Sequence, residues 1–138
     1  RSIQKPRDIV LGVVFALAQG DKTRLWEIAN TSIAYRRKTQ PQGVRSPGCT
    51  FRNLSAAQSL VSSVPKGTTS AGFLLDHAGA KNFRVGDAEI SSVHANFIIN
   101  RGKATASDVV QLIDRAKEQV KSQFGVTLEE EIVRLGEF

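Results

Sequence analysis

The sequence is poor in several residue types on which particular classes of protein depend. Its single cysteine, Cys49, cannot form an internal disulfide, which fits a reducing cytosol. The longest apolar run, Ile9 to Ala18, has about half of the roughly 18 residues needed to span a bilayer. No secretory signal, Gly-rich phosphate loop, metal-ligand cluster or Ser-His-Asp arrangement can be recognised. These absences predict a cytoplasmic protein without a membrane partner or a metal site.

Methionine is also absent, and the 138-residue sequence begins at Arg1, which indicates a fragment of a longer protein. Basic residues are in excess: 19 Lys and Arg against 13 Asp and Glu give a net charge of +6. A phosphate-bearing small molecule and nucleic acid are both candidate partners, and a merely solvated basic surface is an equal alternative. Because the basic residues are dispersed and only 7% of residues are aromatic, the pattern of a nucleic-acid surface is weak.

Hydrophobic periodicity predicts short strands interleaved with helices. Apolar residues on both faces predict a strand over Asp8 to Ala18, and helical spacing with Asp21 as cap predicts a helix from Lys22 to about Lys38. Further elements are short helices over 54–64 and after Ser70, strands over 83–85, 88–91 and 96–100, a long helix after the capping box 105–108, and a final strand over 126–135. The predicted fold class is α+β, a single domain with a mixed or antiparallel sheet and helices packed on it.

One stretch, residues 45–53 (RSPGCTFRN), places chemically useful side chains beside a turn. Gly48 lets the backbone bend before Cys49 and admits a ligand close to the thiol. The basic and amide side chains of Arg52 and Asn53 suit an anionic or carbonyl-bearing substrate. The alternative is an ordinary surface turn with an unremarkable thiol.

The predicted final strand carries three consecutive carboxylates, Glu129, Glu130 and Glu131. Burying one of them without a partner would be costly, so a glutamate on the inner face indicates a site, although an exposed edge strand is the simpler alternative. His77 has no Cys or His at metal-ligand spacing, so no metal site is predicted there.

Six segments, taken together and in order, resemble one known family. They are RRKTQP (36–41), GCTFRN (48–53), SAGFLLDHAG (70–79), VHANFIIN (93–100), ATASDV (104–109) and FGVTLEEE (124–131). In this order they are similar to the C-terminal, substrate-binding domain of the UDP-N-acetylenolpyruvoylglucosamine reductases, flavoenzymes of bacterial peptidoglycan synthesis. The resemblance covers nearly the whole chain, from about Asp8 to Gly136.

The resemblance implies a reaction on a UDP-sugar substrate. An FAD reduced by NADPH passes hydride to an enolpyruvyl ether, and a protein acid protonates the adjacent carbon to give UDP-N-acetylmuramate. In the family that acid is usually the Ser of a Gly-Ser-x-Phe-Lys-Asn motif, and its position here is Cys49. An assisting glutamate of the family matches Glu131.

The same resemblance implies a set of substrate contacts. The asparagine of the family motif matches Asn53, and Arg52 stands where a basic residue is usual. The His-Ala-Asn-Phe segment borders the substrate in the family, so His94 and Asn96 are candidate contacts. For His94 the alternative is that it only caps the following strand.

The sequence departs from the family in three places. The FAD-binding domains lie upstream in the family, so residues 1–20 are expected to be the end of that region or a linking strand, and 21–138 the substrate-binding domain. The Glu-Val-Arg ending of the family becomes Glu-Ile-Val-Arg, which displaces Arg134 by one position. The segment 54–69 is longer than expected, and Leu54 replaces a proline.

The predicted function is the substrate-binding and proton-donating domain of this reductase, inactive alone and joined to upstream FAD-binding domains, with no nucleic-acid or membrane partner. Two alternatives come from other classes. One is a basic nucleic-acid-binding domain, which only the net charge supports. The other is an interaction module that keeps the fold without catalysis.

Overall fold

The computed structural model describes residues 11–136, which divide into two units after Ile33. In chain order the elements are α1 (Lys22–Thr39), α2 (Ala56–Ser59), α3 (Ala71–His77), β1 (Arg84–Val85), β2 (Ala88–Ile90), β3 (Ile98–Asn100) and α4 (Ala106–Phe124). The described part of the first unit holds a segment without regular secondary structure and the start of α1. All three strands and the other helices belong to the second unit, which confirms the α+β fold class.

The segment 11–20 has no regular secondary structure, so the strand predicted over Asp8 to Ala18 is wrong for its described part. Positions 8–10 lie outside the described residues. A strand needs a neighbour for its backbone hydrogen bonds, and none of the strand pairings within residues 11–136 includes this segment. Its apolar side chains remain in solvent, with Leu11 at 94% and Val14 at 99% exposure.

Helix α1 begins where the sequence predicts. The Asp21 carboxylate accepts a hydrogen bond from the Arg24 N–H at 2.7 Å and so caps the first turn. The basic run 36–38 occupies the last turn, where cations complement the helix dipole. The helix buries none of its residues, and both Trp26 and Tyr35 are exposed. None of the helices in the described part of the chain has the length and apolar composition that crossing a membrane requires.

The sheet of the second unit is antiparallel, with strand order β1-β2-β3. Val85 lies opposite Ala88 across the first pair, and Ile90 lies opposite Ile98 across the second. Each strand falls within its predicted range but is shorter. The antiparallel alternative of the predicted mixed or antiparallel sheet is therefore confirmed.

Helix α4 packs on α3, β1 and β2 and supplies much of the core. It begins after the capping box in which the Thr105 hydroxyl accepts the Asp108 N–H at 3.1 Å, and it ends at Gly125, whose φ is +65°. Its buried face consists of Leu112, Ile113, Ala116, Val120 and Phe124. Burying each large aliphatic or aromatic side chain contributes about 1.5–3 kcal/mol.

In the sequence, the two short helices α2 and α3 lie between residues 45–53 and the first strand of the sheet. Ser70 caps α3 as predicted, since its hydroxyl accepts the Phe73 N–H at 3.2 Å, and Gly79 ends the turn with a φ of +72°. The helix predicted over 54–64 is much shorter, because only Ala56–Ser59 is helical and turns follow it.

The predicted final strand over 126–135 is wrong: the segment forms only one isolated bridge, between Phe51 and Glu130. Burial of Val126 and Leu128 anchors the chain after α4. The Glu130 carboxylate then accepts hydrogen bonds from Lys117 Nζ at 2.5 Å and Arg134 Nη2 at 2.7 Å. The Lys117 contact joins the segment to α4, and among the described residues its backbone pairing is confined to this one bridge.

Glu130 should make stability depend on pH. Desolvation acts to raise its pKa, but hydrogen bonds from Arg134 and Lys117 outweigh it and lower the pKa of this carboxyl. A carboxyl with a lowered folded-state pKa stabilises the fold above its unfolded pKa of about 4.3, and this contribution is lost as the pH falls through the folded-state value. We expect Glu130→Gln to lower the free energy of unfolding by about 1–3 kcal/mol near neutral pH.

Urea denaturation across the acidic and neutral range checks this expectation. The difference between parent and Glu130→Gln should shrink as the medium becomes more acidic than the folded-state pKa. Glu129→Gln is the matched control, because Glu129 is exposed and its ion pair with Arg52 is long, at 3.8 Å. A loss of equal size at every pH would show that the charge of Glu130 is not the cause.

Candidate active site

A bulge in the backbone sets the direction of Cys49. Two residue pairs flank it, Arg45 with Asn100 and Cys49 with Phe97. Three residues separate the pairs on the Cys49 side and two on the other side, so one residue is extra. Gly48, directly before the thiol, has a φ of +92°, a conformation that residues with a side chain avoid. The positive φ of Gly48 therefore bends the backbone directly before Cys49, and a bend at this glycine is what the sequence predicts.

The segment that carries Cys49 is hydrogen-bonded along both edges. On one edge the Thr50 N–H donates to the Asn96 carbonyl at 2.8 Å. On the other, the Glu131 N–H donates to the Thr50 carbonyl and the Arg52 N–H to the Glu129 carbonyl, each at 2.8 Å. The predicted site residues thus come from three neighbouring segments, 49–53, 94–96 and 129–131.

The structure brings Cys49 and Glu131 together. Partial desolvation raises the pKa of the Cys49 thiol, and the negative charge of Glu131 raises it further. The thiol has an exposed surface, whereas Glu131 is half-buried. A thiol with a raised pKa is protonated at neutral pH and can therefore act as a proton donor.

Arg52 and Asn53 follow on the same segment and are exposed. The guanidinium of Arg52 makes only a long ion pair with Glu129, of a kind that contributes about 0–1 kcal/mol and that an anionic ligand could replace. The side-chain Oδ1 of Asn53 accepts the Ala71 N–H at 3.4 Å, which joins the motif to the first residue of α3.

His94 lies on the neighbouring segment, in a cleft of about 170 Å³. Its Nδ1 accepts the Asn96 N–H at 3.2 Å, so the proton of the neutral ring is on Nε2. Desolvation lowers the pKa of His94, and the positive charge of Lys81 lowers it further, which favours the neutral form. The other residues that line the cleft are Ser70, Gly72, Phe73, Asp76, Lys81, Val93 and Ala95; neither Cys49 nor Glu131 is among them.

Three residues of this cleft were not predicted from the sequence. A Cβ on Gly72 would lie 2.7 Å from His94 Cε1, so the glycine makes room for the imidazole. Lys81 Nζ donates to Asp76 Oδ2 at 2.6 Å and places a paired charge at the cleft. Gly72 and Asp76 lie within the matching segment 70–79, which was the available signal, whereas Lys81 lies outside the six segments.

Asn96, predicted as a substrate contact, is 4% exposed. Its Oδ1 accepts the Phe51 N–H and its Nδ2 donates to the Phe51 carbonyl, both at 2.8 Å. Backbone groups therefore engage both polar atoms of this side chain. Within residues 11–136 no group of three or more His, Cys, Asp or Glu side chains is placed to hold a metal ion.

Comparison with known proteins identifies the family. A family model described as "UDP-N-acetylenolpyruvoylglucosamine reductase, C-terminal domain" matches residues 40–135. The UDP-N-acetylenolpyruvoylglucosamine reductase of Desulfosudis oleivorans is 38% identical over 129 residues, which are 94% of this chain and 38% of that protein. The protein of the same name from Heliobacterium modesticaldum is 38% identical over 135 residues, 98% of this chain and 40% of that protein.

A solved structure gives the same result. The crystal structure of UDP-N-acetylenolpyruvylglucosamine reductase from Thermus caldophilus is similar with a TM-score of 0.63 and 36% identity, over 84% of this chain and 36% of that chain. The chain thus spans well under half of the length of the relatives it matches. The match of the family model to residues 40–135, most of the chain, shows that the chain belongs to the UDP-N-acetylenolpyruvoylglucosamine reductase family, as a C-terminal domain.

Proposed function

We propose that this chain is the substrate-binding and proton-donating domain of a UDP-N-acetylenolpyruvoylglucosamine reductase that uses FAD and NADPH in peptidoglycan synthesis in the cytoplasm. The observation that carries the proposal is the placement of Cys49 beside Glu131, at the positions where the family motif has its acid and its assisting glutamate. The matches to reductases of the same name support it.

The chain alone does not fit a whole flavin site. Its three described strands form one small antiparallel sheet, and a dinucleotide-binding βαβ unit needs parallel strands. We therefore place the FAD site mostly outside this chain. When bound there, the flavin supplies the hydride that adds to one carbon of the enolpyruvyl double bond.

The contribution of this chain is the proton for the neighbouring carbon. The Cys49 Sγ–H donates it. The raised pKa keeps the thiol protonated at neutral pH, so the proton is available when hydride has added to the first carbon. Glu131, close enough for its charge to act on the thiol, orients the reacting groups. The exposed surface of Cys49 lets water return a proton to the sulfur afterwards.

The substrate is held by side chains around this pair. Arg52 exchanges its weak ion pair with Glu129 for an anionic group of the substrate, and Asn53 offers its amide beside α3. His94 directs a neutral Nε2–H donor towards the cleft beside α3, where it would meet the nucleotide part. These three contacts match the basic and polar character that a UDP-sugar requires.

Residues 1–20 are proposed as the end of the preceding FAD-binding region or a linking strand, and 21–138 as the substrate-binding domain. The described part of the first segment supports this, because its exposed apolar side chains, among them Leu11, Val14 and Leu17, need a protein surface to cover them. The short span of the chain relative to its relatives agrees with a larger whole.

The purified 138-residue chain is expected to be colourless and not to oxidise NADPH. Hydride transfer requires the flavin, and the residues proposed here bind substrate and donate a proton instead. Visible absorption spectroscopy and an NADPH consumption assay measure this. A yellow preparation with bound FAD, or NADPH turnover, would contradict the placement of the FAD site outside the chain.

Glu131, rather than Glu129 or Glu130, is expected to be the functional carboxylate. In a complete reductase carrying this domain, Glu131→Gln should lower turnover about a hundredfold or more, as loss of an acid–base group commonly does. Glu130→Gln is the control, because that carboxylate is engaged by Lys117 and Arg134. Turnover is measured at a temperature at which both variants are folded. Equal losses would show that the proposed role is assigned to the wrong glutamate.

Cys49 is expected to be the proton donor. In the complete reductase, Cys49→Ala should lower product formation about a hundredfold to ten-thousandfold. Cys49→Ser should keep partial activity, because a hydroxyl can still donate a proton. Flavin reduction by NADPH, followed by stopped-flow absorption, should be unchanged in both variants. Product formation by Cys49→Ala at the parental rate would make the thiol a bystander.

A further inference from the structure

Asn96 makes an unusual set of contacts with the segment that follows Cys49. Its main-chain carbonyl accepts the Thr50 N–H at 2.8 Å. Its side-chain amide then accepts the Phe51 N–H and donates to the Phe51 carbonyl, again at 2.8 Å each. One residue thus satisfies three backbone groups of two consecutive residues.

The side-chain amide takes the place of a backbone partner that the chain does not provide. The Asn96 N–H, which could have continued the pairing, donates instead to His94 Nδ1 at 3.2 Å. An amide side chain carries one donor and one acceptor, the same pair that a strand residue offers to its neighbour. The Asn96 side chain therefore continues the pairing of segment 49–53 by one residue, to Phe51, at the place where regular backbone pairing stops.

The opposite edge of the same dipeptide carries Glu131. The Glu131 N–H donates to the Thr50 carbonyl at 2.8 Å, so this glutamate and Asn96 hold Thr50 from opposite sides. Cys49 directly precedes the dipeptide Thr50–Phe51 and follows Gly48, whose φ is +92°. We call the hydrogen bonds that Asn96 and Glu131 make to the Thr50–Phe51 backbone the clamp. Because the clamp holds the residues directly after Cys49, it sets the direction of the thiol.

The geometry also weighs against direct contact between Asn96 and substrate. A ligand that pulled the amide away from Phe51 would break two hydrogen bonds of 2.8 Å and leave a buried backbone N–H and carbonyl without these partners, and an amide left in place is shielded by its burial. Unsatisfied buried backbone groups are costly and rare. A polar side chain that is 4% exposed and hydrogen-bonded to the backbone through both of its polar atoms is suited to holding that backbone in place.

We propose that Asn96 is a positioning residue, whose side-chain amide fixes the Thr50–Phe51 backbone and so keeps the Cys49 thiol beside Glu131. Its meaning for catalysis rests on the proposed function, in which Cys49 gives the proton. Its geometric content, the placement of Cys49 next to Glu131, can be measured on this chain without any reaction.

The first measurement is amide hydrogen exchange of the 138-residue chain. In Asn96→Ala the clamp loses both side-chain hydrogen bonds, so the Glu131 amide should exchange at least about tenfold faster. The Val120 amide in the middle of α4 should keep its parental rate. Asn96→Asp is the second variant, because it has the same shape and keeps an acceptor for the Phe51 N–H but cannot donate as a carboxylate. It should show a smaller acceleration.

The second measurement is the rate of alkylation of Cys49 by iodoacetamide as a function of pH. Cys49 is the only cysteine, so the reaction reports this thiol alone. Loss of the clamp should separate the thiol from Glu131, the charged group that acts on it, and lower its pKa. Each unit of decrease is about a tenfold gain in thiolate, so we expect alkylation of Asn96→Ala near neutral pH to be about threefold faster or more.

Ser91→Ala is the matched control. Ser91 is buried, and its hydroxyl accepts the N–H groups of Val93 and His94 in the same loop, but it does not bond to Thr50 or Phe51. It should lower stability without changing the alkylation profile of Cys49. If folded Asn96→Ala keeps the parental exchange of Glu131 and the parental alkylation profile, the proposal is overturned. It is also overturned if neither Asn96 variant folds, because Asn96 is then a folding determinant.

Kinetics of a complete reductase separate this inference from the proposed function. In Asn96→Ala, kcat should fall about tenfold or more while flavin reduction by NADPH stays parental. Cys49→Ala in the same enzyme is the reference. If that reference keeps full turnover, the proposed proton donor is wrong, and the exchange and alkylation results still decide whether Asn96 positions the thiol. If the reference loses turnover but Asn96→Ala does not, the positioning role in catalysis is overturned.

Discussion

The two hydrogen bonds of the Thr50 backbone are the constraint on which the candidate site depends. They connect one peptide segment to Asn96 on one side and to Glu131 on the other, so three separate stretches of sequence share one short piece of backbone. Thr50 is fully buried, and its hydroxyl has no hydrogen-bond partner among the described residues. The backbone pairing and the burial of Phe51 offset this cost, since both are made by the same segment.

The rest of the second unit keeps these stretches in place. Helix α4 closes the core over the sheet, and Lys117 on α4 holds Glu130, the residue before Glu131. Helix α3 begins beside the motif, where the Ala71 N–H meets Asn53, and it brings Gly72 under the ring of His94. The chemically useful side chains thus lie on short irregular segments, while the regular elements behind them supply rigidity.

Local signals in the sequence were sufficient for the starts of α1, α3 and α4. Asp21, Ser70 and the Thr105 capping box mark helix starts by hydrogen bonds within one turn, and each is present in the structure. The alternation of Val126 and Leu128 equally predicts a strand, but the described backbone pairing of this segment is one isolated bridge, at Glu130. Residues 11–18 also have a strand pattern, yet no partner strand is described.

The motifs in the sequence locate the candidate site, but they do not predict the contacts between its separate segments. Residues such as Cys49, Arg52 and Asn53 share one segment, so their proximity is visible in the sequence. The bonds between Asn96 and Phe51 join positions 45 residues apart. No spacing rule predicts such a contact, because it depends on how the whole second unit folds.

The exposed helix α1 has a practical consequence for spectroscopy. It carries the only tryptophan and the only tyrosine of the chain, Trp26 and Tyr35. Ultraviolet fluorescence therefore reports the surroundings of this one helix, whereas the core around α4 contains phenylalanine as its only aromatic residue type. An emission signal from Trp26 would follow the fate of α1, and the antiparallel sheet, whose strands carry neither tryptophan nor tyrosine, needs a different probe.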